Sequence, residues 1–141
     1  MMTSDKGIEF IKRHEALRLN AYLDSAGVPT IGYGHTLGVR MSDTITKSQA
    51  EQLLRGDLIT AESEINKHNL NINQNQFDAL VSFVFNIGVG NFRTSTLLKR
   101  LKHDTRDPDI EKQFKRWIYA GGKILNGLIK RRNNEIKLYF S

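Results

Sequence analysis

The chain has 141 residues, 39% of them hydrophobic and 26% charged, the length and composition of one soluble globular domain. It has no cysteine, which excludes thiol catalysis, disulfides and Cys-based zinc sites. Its net charge of +6 is uneven: residues 1–98 carry 9 Lys/Arg against 10 Asp/Glu, and residues 99–141 carry 12 against 5. A basic last third suits either a polyanionic partner or a solvated face. The four histidines (His14, His35, His68, His103) show no metal-ligand spacing, so no metal and no cofactor is expected. The first twenty residues hold no apolar run longer than two, so neither a signal peptide nor a signal anchor is expected. The stretch from Ala79 to Val89 is interrupted by Ser82, Asn86 and Gly88 and is too short to span a bilayer.

In chain order, Thr3 or Ser4 caps a predicted helix over 5–16, with Asp5 in its favourable first turn. Ile8, Ile11 and Glu15 fall on one stripe of it, which predicts a partly buried carboxyl. The period then changes. Tyr22 and Leu23, a DSAG turn and Val28 to Tyr33 read as a β-hairpin, and Leu37 to Met41 as a short third strand. Gly32 and Gly34 leave one side of that hairpin bare, for a bulky polymer or for the needs of the turn.

From Ile45 the helical period returns. Thr46 with Gln49 forms a capping box, and Gly56 inside the helix predicts a kink or a close contact. Asn73 or Asn75 caps the next helix, apolar nearly all round from Phe77 to Phe85 and stopped by Gly88 and Gly90. Thr94 or Ser95 caps a short helix through Leu101. Asp107–Pro108 opens another, through Trp117 to Gly121–Gly122, and Asn126 caps the last. The expected fold is α+β and mostly helical, a single domain over 1–141. It has a small antiparallel β-lobe over about 17–45 and a helical lobe over about 67–141 on which helix one packs. Two unequal lobes predict a cleft.

Glu15, Asp24 and Thr30 are the residues with chemistry to offer. Glycoside hydrolysis needs an acid for the leaving oxygen and a second group for water or the sugar cation. A Glu on an apolar stripe and an Asp at a solvated turn divide those roles. Each residue also has an ordinary reading. The Glu can be an ion-paired helix end, the Asp a cap of its own turn, the Thr a strand former.

Glu15-x8-Asp24-x5-Thr30, then TIGYGHT (30–36), QFDALVSFVFNIGVGNFRTSTLLKRL (76–101) and FKRWIYAGGKILNGLIKRR (114–132), resembles the phage-type lysozyme family over most of the chain. The AGGK and RR elements resemble its P22-like branch more than its T4-like one. The resemblance implies a two-lobed lysozyme-like fold joined by a long helix. It also implies cleavage of the β-1,4 bond between N-acetylmuramic acid and N-acetylglucosamine of bacterial peptidoglycan. Glu15 would be the general acid, and Asp24 with Thr30 would activate water in an inverting reaction. Gly32, Tyr33, His35 and Asn86 are the implied groove residues, with His35 similar to a family histidine of structural, ion-pairing role. Arg131 or Arg132 is the implied neighbour of Glu15. A monomer is expected, held in the host cytoplasm until a holin admits it to the wall, without a nucleic-acid partner. The basic third would serve an anionic wall or membrane surface. The alternatives are a cationic wall- or membrane-disrupting protein with catalysis secondary, and a transglycosylase.

Overall fold

The computed structural model describes every residue, Met1–Ser141. It has seven helices and four short strands and is mostly helical α+β. The chain divides into two compact units, one of Ile8–Ile59 and one of Met1–Gly7 with Thr60–Ser141. The hairpin unit therefore reaches past 17–45 to take in most of α1 and the first part of α2.

In the first of these units, α1 (Asp5–His14) buries Ile8 and Ile11 and ends with Lys12, Arg13 and His14 in its last turn, where cations suit the helix dipole. It stops two residues earlier than the periodicity predicts. Leu17 leads at once into β1 (Arg18–Leu23), so Glu15 sits just beyond the helix instead of on its buried stripe.

β1 pairs antiparallel with β2 (Pro29–Gly32), Tyr22 opposite Thr30 and Leu23 opposite Pro29, with an irregularity between Arg18 and Tyr22. The expected strand over Leu37 to Met41 is replaced by turns. Gly38 takes φ +69° and Leu37 is exposed, so the segment has no face to bury. The free edge of β1 is met further on, where Ala21 N–H donates to Asp43 O at 3.0 Å and Ile45 N–H to Leu19 O at 2.9 Å. The Thr46–Gln49 capping box opens α2 (Lys47–Asn66) at 2.9 and 3.1 Å. Gly56 faces open space, so the predicted close contact is absent.

The other unit is built on α3 (Gln74–Ile87), opened by a reciprocal Asn73–Gln76 box. Phe77 to Val84 are all buried, as an all-round apolar helix requires. Its two buried polar side chains are satisfied. Asp78 accepts from the Ser4 hydroxyl, the Ser4 N–H (3.1 Å) and Gln74 (2.8 Å). Ser82 donates to Glu135 at 2.5 Å. α3 packs chiefly on α7 (Asn126–Tyr139), with Phe83 edge-on to Phe114 and Trp117.

Between them run α4 (Val89–Arg93), α5 (Thr96–His103), capped by Ser95, and α6 (Asp109–Lys115). The stretch predicted as helix to Gly121 instead closes into a second hairpin, β3 (Tyr119–Ala120) with β4 (Lys123–Ile124). Gly121 and Gly122, both at positive φ, form its two-residue loop.

Candidate active site

Asp24, Thr30 and Glu15 all belong to the Ile8–Ile59 unit. The turn after β1 fixes Asp24. Its Oδ1 accepts from the N–H groups of Ala26 (2.8 Å) and Val28 (2.9 Å), and its own N–H donates to Val28 O at 3.0 Å. One carboxylate oxygen thus holds the turn, and Oδ2 takes no part in it. Thr30 is buried, 3% exposed, and donates its hydroxyl to the same Val28 carbonyl at 2.8 Å. With Tyr22 opposite Thr30, Asp24 and Thr30 are diagonal neighbours on one face of the hairpin. The Thr30 proton is spent on Val28, so its remaining lone pairs can only accept.

Glu15 is half-buried at the end of α1, its N–H directed at Lys12 O at 3.3 Å. Beside its carboxyl lies the backbone of Gly34, at φ +86°, where a Cβ would stand 4.0 Å from Glu15 Oε2. Only glycine takes that conformation without strain.

The other predicted site residues are placed as follows. Gly32 is buried at φ +67°, and the space its missing side chain leaves faces Ile45 and Ala50, not an open groove. Tyr33 is buried, with the Lys12 ammonium 5.8 Å from its ring centroid. His35 sets Nδ1 against the Asp57 carboxylate at 2.9 and 3.0 Å and Nε2 against Leu37 O at 2.9 Å, an ion-pairing arrangement that pins the loop after β2. Asn86 lies in the other unit, exposed, its Oδ1 accepting from Arg132 Nη2 at 2.5 Å.

Arg131 and Arg132 are both buried around Glu135. Arg131 Nε approaches Oε2 at 3.3 Å, and Arg132 Nε lies 2.9 Å from Oε1, off the hydrogen-bonding direction. Burial drives the Glu135 carboxyl above the usual range, against the pull of the two guanidinium groups and Ser82.

Lys12 and Asp57 escaped sequence reading. Both act through partners distant in the chain, Glu51 and His35, that no local pattern announces.

A helix-end glutamate, a turn aspartate with one oxygen outside the turn's hydrogen bonds and a buried hydroxyl are the kinds of group that glycoside hydrolysis calls on. The phage lysozyme family model matches residues 12–135. The chain is 44% identical to the endolysin of Acyrthosiphon pisum secondary endosymbiont phage 1, over all of this chain and 99% of that one. Among solved structures it resembles the muramidase domain of SpmX from Asticaccaulis excentricus, at TM-score 0.91 and 37% identity, covering 99% of this chain and 97% of that one. It resembles a P22 lysozyme mutant at TM-score 0.88 and 39% identity, covering 100% and 99%. The chain belongs to the phage lysozyme family.

Proposed function

We propose that this enzyme hydrolyses the β-1,4 bond between N-acetylmuramic acid and N-acetylglucosamine in peptidoglycan, with inversion, in the service of host cell lysis. Glu15 protonates the leaving glycosidic oxygen. Asp24 Oδ2 takes a proton from water while Thr30 Oγ1 accepts its other hydrogen, and the oxygen attacks C1 from the opposite face. The observation behind this reading is the shared Val28 peptide. It ties Asp24 and Thr30 together at 2.8–3.0 Å and leaves one acceptor on each. Within the unit that holds Glu15, Asp24 and Thr30, His35 steadies the loop after β2 through Asp57 and the Leu37 carbonyl.

The surplus charge has a place in the same reading. The unit holding Glu15, Asp24 and Thr30 carries 6 Lys/Arg against 6 Asp/Glu; the other carries 15 against 9. That cationic unit meets the anionic wall or membrane surface without doing the chemistry. No helix is long and apolar enough to cross a membrane.

The test is Glu15→Gln, assayed by turbidity loss of permeabilised Gram-negative cells alongside thermal melting. The variant should melt like the parent and lyse nothing. Full lysis by the folded variant would sink the assignment.

A further inference from the structure

Glu15 lies just past the end of α1, and an acid that must meet one glycosidic oxygen needs the backbone that carries it to be fixed. Lys12 gathers the segments around it. From the last turn of α1 its carbonyl accepts the Glu15 N–H at 3.3 Å. Its ammonium donates at 3.0 Å to Glu51 near the start of α2 and at 3.0 Å to Glu9 one turn back. It also stands 5.8 Å from the ring centroid of Tyr33, next in sequence to the Gly34 that borders the Glu15 carboxyl. Arg55 backs Glu51 from the following turn at 3.4 Å.

The Lys12 side chain is only 22% exposed. Hydrogen bonds that it donates to Glu51 and then Glu9 hold its ammonium above the usual lysine range, and the bond to Glu51 holds that carboxyl below the usual carboxylate range. The bridge is therefore charged throughout the neutral range.

We propose that Lys12 is a positioning residue for the acid: its bridge to Glu51 and its seat against Tyr33 fix the end of α1 to α2 and to the loop after β2, and so aim the Glu15 carboxyl. This rests on Glu15 being the acid. A partly exposed ion pair adds little to global stability. Its loss should therefore be read in turnover and not in folding.

Lys12→Met keeps the stem and removes the charge. Its kcat should fall about 10- to 100-fold, the cost of roughly a 1 Å misplacement, while KM changes by less than about twofold. Melting should barely move. Lys12→Arg should restore most of the turnover, and Glu51→Gln should reproduce the loss from the other end, which keeps the test open if Lys12→Met folds poorly. Wild-type kcat in folded Lys12→Met or Glu51→Gln, or a loss confined to KM or melting temperature, would overturn the positioning role and leave Glu15 untouched. Wild-type turnover by Glu15→Gln would overturn both.

Discussion

Asp24 is asked to do two jobs, and a pair of substitutions separates them. Oδ1 accepts two backbone N–H groups at 2.8 and 2.9 Å and closes the turn between β1 and β2. Asp24→Asn keeps a carbonyl oxygen in that position, so the turn survives, with some loss of charge assistance. Asp24→Ala removes both bonds at about 0.5–1.5 kcal/mol each, or about 1–3 kcal/mol together. At about 2–4 °C per kcal/mol for a chain of this size, the Ala variant should melt about 2–12 °C lower. Asp24→Asn should stay within about 1 kcal/mol of the parent. Turnover should divide differently. Both variants lack the proposed base, and both should lose about 10²- to 10⁴-fold in kcat. Thermal melts by circular dichroism and initial rates on purified peptidoglycan supply the two readouts. Near-parental turnover in Asp24→Asn would reduce Asp24 to a turn cap. An equal loss of stability in both variants would show that the Oδ1 bonds do not hold the turn.

Two further outcomes follow from the packing of the other unit. Glu64 is 3% exposed and meets Arg93 at 2.7 Å, His68 at 2.8 Å and Lys67 at 3.1 Å. Burial pushes its carboxyl up, but these three partners outweigh it, so Glu64 titrates below its usual 4.5. A depressed carboxylate stabilises the fold above its unfolded pKa, and that stability is lost as pH falls through the folded one. Glu64→Gln should therefore be less stable than the parent at pH 7 in urea titrations, with the gap closing below the usual carboxylate pKa; a constant gap would refute the linkage. Gly7 faces Asp78 so closely that a Cβ would stand 2.6 Å from Asp78 Cγ and 2.8 Å from Thr3 Cγ2. Gly7→Ala should cost about 1–3 kcal/mol of unfolding free energy despite alanine's better helix propensity, and a stabilised variant would contradict the contact.

Much of the fold is legible because local chemistry specifies it. The Thr46–Gln49 box, a cap at Asn73 or Asn75 and a cap at Thr94 or Ser95 place three helix starts, for which the fold uses Asn73 and Ser95, and the all-round apolar run marks α3 as buried. The boundaries that escaped depend on pairing at a distance. Glu15 continues the helical period of Ile8 and Ile11, but β1 claims the chain first and leaves it past the helix end. The edge contact at Asp43 to Ile45 cannot be told from a loop without knowing where β1 lies. The Gly121–Gly122 hairpin carried a readable signal, since paired glycines favour a two-residue β-turn, but strands of two residues leave no alternation to support it. Residue types, with the spacing that resembles the family's, nominate Glu15, Asp24 and Thr30 as candidates, whereas the Val28 peptide that joins two of them and the Lys12–Glu51 bridge appear only when the chain is folded.

The proposed reaction is single-step hydrolysis by Glu15 and a water held by Asp24 and Thr30. The anomeric form of the newly released reducing sugar, followed by proton NMR from the first turnover, tests it most directly. Direct attack by water on a β-1,4 bond predicts the α-anomer first, relaxing later to the equilibrium mixture. Initial release of the β-anomer, or of a 1,6-anhydro sugar with no reducing end, would contradict it.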